Sequence, residues 1–193
     1  MKLIIASNNK HKIYEIKNIL SGKFTEILSA KEAGIEHETV EDGSTFAENA
    51  VKKAREISEL SGEAALADDS GICVDALGGA PGIFSARFAA ENGENASDEA
   101  NNALLLERLS DKTDRRAHYT AAVAIVYPDG KTVSAEGHLF GEIIDTPRGD
   151  RGFGYDPLFV PVGESRTVAE MDDGEKNSIS HRGKALRALL EKL

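Results

Sequence analysis

Two adjacent carboxylates and a few awkwardly placed cations are the residues whose types and spacing suggest chemistry. Asp68 and Asp69 close a hydrophobic run in the segment Ala67-Asp68-Asp69-Ser70-Gly71. Hard oxygen donors followed by small residues suit Mg2+, which is commonly held by one or two carboxylates while it keeps waters and substrate phosphates. If the run is a strand, neighbouring side chains point to opposite faces, so the two acids need not share one role. A turn in which Asp caps the backbone is the competing reading. An aspartyl nucleophile of the phosphatase kind is served less well, because such acids are usually spaced two apart.

Four further groups join the acid pair. Ser7-Asn8-Asn9-Lys10-His11-Lys12 follows a strand-like run and opens a helical pattern. A helix start presents unpaired N–H groups and partial positive charge to an anion, and Lys12 adds a full charge; a plain polar cap reads equally from Ser and Asn. On the long helix beginning near Thr45, a wheel at 100° per residue puts Lys53 inside the apolar arc and Lys52 on the polar face. A lysine there either meets a charged partner, such as phosphate, or snorkels out, and Asn49 lies on the same flank. In Gly152-Phe153-Gly154-Tyr155-Asp156-Pro157, glycines flank a ring that can stack on a base, or that fills a hairpin corner. Lys176, His181 and Arg182 group donors around a helix start, suited to carbonyl or phosphate oxygens or simply to solvent.

The elements that must position these groups alternate. Lys2–Ala6 reads as a buried strand in preference to a signal peptide, because its apolar stretch stops at Ser7. A helix with Ile13, Ile16, Ile19 and Leu20 on one face follows and ends at Gly22; Phe24–Leu28 is strand-like. The capping box Thr45-Phe46-Ala47-Glu48 opens a long helix that stops near Gly62, and Ala64–Ala67 is again strand-like. Ser97 caps a helix to about Leu109, Tyr119–Tyr127 and Thr132–His138 form a hairpin about Pro128-Asp129-Gly130, and a last helix runs from Ser180 to Leu193. The expected fold is α/β, a mixed sheet with helices packed on it, in one domain over residues 1–193.

Composition removes several classes of function. The chain has 193 residues, with 23 Lys+Arg against 33 Asp+Glu and a formal net charge of −10. General nucleic-acid binding depends on Lys and Arg neutralising phosphates, so no nucleic-acid partner is expected. The longest apolar run, Ala121–Tyr127, is far short of the roughly 18 residues a membrane span needs, so no membrane partner is expected either. The lone Cys73 cannot form an internal bridge, which suggests a reducing compartment. A P-loop, a His-Glu-x-x-His motif, a Cys-x-x-Cys pair and a Gly-x-Ser-x-Gly elbow are all missing from the sequence. Taken together, the anion cradle, acid pair, misplaced lysine, ring and donor cluster describe a nucleoside triphosphate site.

The order of these segments resembles the non-canonical purine nucleoside triphosphate pyrophosphatases, also called inosine triphosphate pyrophosphatases. It is carried by Ser7-x-Asn9-x-x-Lys12, Thr45-Phe46-x-Glu48-Asn49-Ala50-x-x-Lys53-Ala54, the Asp68-Asp69 segment, Leu77-Gly78-Gly79-Ala80-Pro81-Gly82-x-x-Ser85-Ala86-Arg87, the Phe153 segment and Ser180-His181-Arg182. The resemblance implies an elongated mixed sheet in two lobes with a central substrate cleft, a cytoplasmic homodimer, and Mg2+-dependent cleavage of ITP, dITP and XTP to monophosphate and pyrophosphate. It also implies roles: Asp69 as general base and metal ligand, with Asp68 and Glu41 as further metal contacts. Ser7, Asn8, Asn9, Lys10, His11, Lys12, Lys53 and Ser70 take the triphosphate, and Phe153, Gly154, Tyr155, Asp156, Lys176, His181 and Arg182 the base and sugar. Asp150-Arg151 departs from the small residues usual before Gly152 and bears on selectivity. A phosphomonoesterase using Asp69 as nucleophile and a non-catalytic nucleotide sensor are the alternatives.

Overall fold

Strict alternation in the third strand decides how the molecule is layered. In the computed structural model, which describes residues 2–90 and 94–193, β1 (Lys2–Ile5) is followed by α1 (Lys10–Ile19), β2 (Glu26–Ser29), α2 (Phe46–Ser61) and β3 (Ala64–Val74). Then come α3 (Asp98–Arg108), β4 (Arg116–Val126), β5 (Thr132–Ile143), β6 (Phe159–Pro161), α4 (Asp173–Ile179) and α5 (His181–Leu190). The six strands form one sheet in the order β2-β1-β3-β4-β5-β6. β1 runs parallel to β2 and β3, while β5 and β6 are antiparallel, so the sheet is mixed as expected.

The chain divides into two compact units. The first comprises residues 1–69, 121–137 and 181–193. On one face of its strands, Leu3, Ile5, Ala64, Leu66, Ala121, Val123 and Ile125 pack against Ile16 and Leu20 of α1 and Ala185, Leu186 and Leu189 of α5. On the other face, Ile4, Ala65 and Ala67 pack against Ala54 and Ile57 of α2, and Ala122 and Ala124 against Ala50. Even-numbered residues of β3 therefore look toward α1 and α5, and odd-numbered ones toward α2, as a period of two requires. Gly137 lets the start of α5 lie on β5: a Cβ there would come within 2.3 Å of the His181 carbonyl oxygen and 2.5 Å of the Ala185 nitrogen.

The second unit comprises residues 70–120 and 138–180. Its core joins Ile72 and Val74 of β3, Leu105 and Leu109 at the end of α3, Tyr119 of β4, Leu139 and Ile143 of β5, and Phe159 of β6. The Tyr119 and Phe159 rings meet edge to face, 4.9 Å between centroids.

Three details differ from the sequence expectation. Thr45 does cap α2, accepting from the Glu48 amide at 3.1 Å, and Gly62 ends it in the left-handed region. The reciprocal arm reaches one residue further back, however, where the Glu48 carboxylate accepts from the Ser44 amide and hydroxyl. β3 runs on to Val74, well past the acid pair, because Ile72 and Val74 supply the second unit's core. The expected last helix is present as α5, but a further short helix not expected from the sequence, α4, precedes it, with the extended backbone of Ser180 between the two.

Candidate active site

The first cluster grows directly from the alternation of β3. Asp68 is even-numbered and meets α1 and α5. Arg182 Nε donates to its Oδ2 at 2.9 Å, Arg182 Nη1 pairs with Glu15, and Lys12 Nζ faces Asp68 Oδ1 at 3.2 Å. Glu15, Asp68 and Arg182 are buried, with Arg182 only 1 % exposed. Burial alone pushes the Asp68 carboxyl up, but Arg182 and then Lys12 outweigh it and hold the group well below the usual carboxylate range. Burial moves Lys12 the other way, below its ordinary value, with Asp68 opposing.

Asp69 is odd-numbered and meets α2. Its Oδ2 accepts from Asn49 Nδ2 at 3.0 Å and its Oδ1 from Lys53 Nζ at 3.3 Å. The same ammonium donates to Glu41 Oε1 at 2.7 Å. Asn49 also braces the loop that carries Glu41, accepting from the Gly43 amide through Oδ1 at 2.8 Å. Burial raises the Asp69 pKa above its ordinary value, Lys53 pulls against this, and Glu41 adds to it. Neighbouring carboxylates are thus pushed in opposite directions, the pattern by which environment separates a fixed charge from a proton acceptor.

At the start of α1, Asn9 is the N-cap and accepts from the amides of His11 and Lys12, while the Ser7 hydroxyl accepts from the Asn9 amide at 3.2 Å. Asn8, Lys10 and His11 are exposed and Lys12 is turned inward to Asp68. Ser70 is half-buried beside Asp69 in sequence and begins the second unit.

The second cluster is built on Asp156, buried at the start of a short 3-10 turn. Its Oδ1 accepts from Tyr119 Oη at 3.2 Å, and its Oδ2 from the Phe153 amide at 3.0 Å and Lys176 Nζ at 2.9 Å. Lys176 Nζ also stands 4.4 Å from the centre of the Phe153 ring. Gly152, at φ +75°, admits this packing, since a Cβ there would lie 2.2 Å from Asp156 Oδ2. Gly154 is tied to α3, its amide donating to Asp98 and its carbonyl accepting from Asn102, and Tyr155 Oη donates to the Ser85 carbonyl at 2.8 Å.

The residues expected from sequence to form one donor group therefore divide. Lys176 serves the Asp156 cluster of the second unit; His181 and Arg182 open α5 in the first, both buried. Asp68, grouped from sequence with the metal ligands, has both carboxylate oxygens facing cations. Glu15, Tyr119, Asp98 and Asn102 were not singled out from sequence. Glu15 carried a usable signal, being one helical turn before Ile19 and next to Ile16 on the apolar side of α1.

A divalent cation suits part of this chemistry. The Glu41 and Asp69 carboxylates converge on one ammonium, so two hard oxygen donors already frame the place of a small cation. Among the described residues no group of three or more His, Cys, Asp or Glu side chains forms a ready metal cage. Two carboxylates and an incoming phosphate are what Mg2+ ordinarily takes.

A mixed sheet flanked by helices, with unlike carboxylates side by side on a central strand, defines an α/β protein. The Ham1 family profile matches residues 3–192, and the chain belongs to that family. It is 47 % identical over its whole length to a dITP/XTP pyrophosphatase of Ralstonia nicotianae, covering 96 % of that protein, and 48 % identical to one of Clostridium perfringens, covering 97 %. Among solved structures, a HAM1 protein from Coxiella burnetii matches with a TM-score of 0.89 at 38 % identity, each chain fully covered. The Staphylococcus aureus Ham1 protein matches at 0.86 and 40 % identity, with 100 % of this chain and 99 % of that one covered.

Proposed function

We propose that this chain is a nucleoside triphosphate pyrophosphohydrolase that cleaves ITP, dITP and XTP to the monophosphate and pyrophosphate, removing them before they enter DNA or RNA. The observation that carries the reading is the divergent pair Asp68 and Asp69, one held ionised among buried cations, the other raised and hydrogen-bonded beside a lysine. The full-length kinship with dITP/XTP pyrophosphatases supports the substrate class.

Asp69 is the general base in this scheme: its raised carboxylate takes the proton of the water that attacks the α-phosphorus. Asn49 holds the carboxylate's other oxygen so that the accepting lone pair is aimed. Glu41 and Asp69 are the residues that would hold Mg2+, which when bound polarises a phosphoryl oxygen and neutralises the leaving pyrophosphate. Lys53, Lys12 and Ser70 take triphosphate charge, assisted by Ser7 and the residues Asn8 to His11 at the start of α1. Asp68 orients Lys12, and Arg182 keeps Asp68 charged.

Phe153, Gly154, Tyr155, Asp156 and Lys176 take the base. The ring stacks on it, and Lys176 donates to the 6-oxo group that hypoxanthine and xanthine share. Adenine presents an amino group there and leaves a buried donor unpaired, a mismatch worth about 10^4 to 10^5 in discrimination. Donors or close backbone at the purine 2-position would reject guanine's amino group while admitting the hydrogen of hypoxanthine or the oxygen of xanthine. The proposal is completed by a cytoplasmic homodimer acting on free nucleotide, with no nucleic-acid or membrane partner; among the described residues no helix is long and apolar enough to cross a membrane.

Purified protein with Mg2+ and, separately, ITP, XTP, GTP, ATP and dTTP tests the reading. Monophosphate and pyrophosphate from ITP and XTP, with little product from the rest, is expected. Orthophosphate with diphosphate, equal turnover of GTP and ITP, or binding without product would overturn it.

A further inference from the structure

Lys53 is held between two carboxylates. Its ammonium bridges carboxylates from two different elements, Glu41 before α2 and Asp69 on β3, at 2.7 and 3.3 Å. The side chain is 12 % exposed and rises from the inward face of α2, so it does not reach solvent by snorkelling. Glu41, by contrast, is 30 % exposed at its side chain, which leaves a route for an ion from solvent. Asp69 and the Glu41 loop are braced independently of the lysine, through Asn49. The two carboxylates thus keep their places when the ammonium moves, and a four-carbon stem gives it somewhere to go.

An ammonium pushed off its two carboxylates becomes a free donor for phosphate oxygens, which lack donors of their own.

We infer that Lys53 is a tethered counter-ion: it occupies the metal position between Glu41 and Asp69, is displaced when a divalent cation binds, and is thereby delivered to the phosphate chain. Metal and nucleotide then assist each other, because each stabilises the displaced lysine. The inference rests on the proposed pyrophosphohydrolase reading for the identity of the anion, but the metal displacement does not require turnover.

The test is a titration of nucleotide-free protein with Mn2+, following free Mn2+ by electron paramagnetic resonance, for the wild type, Lys53→Met and Lys53→Arg. Removing a competing charge-assisted bond should tighten Mn2+ binding by about 10- to 100-fold in Lys53→Met. Lys53→Arg, which retains a cation, should stay near the wild type. Mn2+ should also raise the melting temperature of Lys53→Met more than that of the wild type. Equal or weaker Mn2+ affinity in a folded Lys53→Met overturns the inference. If that variant is unfolded without metal, failure of Mn2+ to refold it, followed by circular dichroism, overturns it as well. Tightening in Lys53→Met alongside a wild type that releases no pyrophosphate from ITP would sink the activity and leave the displaced lysine standing.

Discussion

Replacing Arg182 by Met should damage stability far more than a change near a binding pocket ordinarily does. The guanidinium lies between Asp68, to which Nε donates at 2.9 Å, and Glu15, and all three residues are nearly inaccessible. Removing one partner of a buried ion pair costs about 3 to 5 kcal/mol, because the remaining charge stays buried without its compensation. Lys12 still faces Asp68 at 3.2 Å, which favours the lower end of that range. For a chain of this size each 1 kcal/mol lowers the melting temperature by about 2 to 4 °C, so a fall of about 6 to 20 °C is expected at pH 7. The pH dependence has a definite sign. In the wild type the depressed Asp68 pKa contributes stability above the ordinary carboxylate value and loses it on acidification; in the variant the carboxyl can take up a proton instead. The gap between the two melting curves should therefore narrow as pH falls from 7 toward 4. Pairing Arg182→Met with Glu15→Leu should cost less than the two single changes added together, since a matched apolar replacement leaves one carboxylate fewer behind. A loss below about 1 kcal/mol at pH 7, or a gap that widens in acid, would refute the buried-triad reasoning.

Other outcomes follow from the same geometry. Asp69→Asn should lower kcat for ITP by about 10^2- to 10^4-fold with a much smaller change in KM, measured by pyrophosphate release. Phe153→Ala should raise KM by roughly 5- to 150-fold, the loss of one base–ring stack, with melting temperature as the control for folding. Gly137→Ala should lower the melting temperature sharply, because the new Cβ meets the His181 carbonyl oxygen and Ala185 nitrogen, backbone atoms that cannot step aside singly. Glu32, bound by Lys17 and Ser29, has its pKa lowered from 4.5 to about 2. Its contribution is present above pH 4.5 and fades as pH falls toward 2, so the small difference between the wild type and Glu32→Gln, at most about 1 kcal/mol for so exposed a pair, should shrink below pH 4.5.

Local signals made much of this legible. Thr45 and Gly62 bracket α2, Ser97 caps α3, and the Ile13, Ile16 and Leu20 spacing marks the packed face of α1, all features of short range. The sequence wheel also found Lys53 on the wrong side of its helix, and the structure supplies its charged partners. What escaped is long-range. Nothing near residue 15 announces that residue 182 will complete its ion pair, and 167 positions separate them. Lys176 was grouped with His181 and Arg182 by nearness in sequence, whereas Lys176 sits on α4 in the second unit and the other two open α5 in the first. Tyr119 was hidden in an apolar strand, where only the placement of Asp156 gives its hydroxyl a purpose.

The pleat of β3 works as a wall with a tenant on each side. Because Asp68 and Asp69 are consecutive, the sheet's own thickness keeps Asp68 with α1 and α5 and Asp69 with α2, and no loop has to hold them apart. Inserting or deleting a single residue within β3 ahead of the pair would exchange the occupants, aiming Asp68 at Lys53 and Asp69 at Arg182. Lineages of this chain should therefore hold the length of this strand fixed.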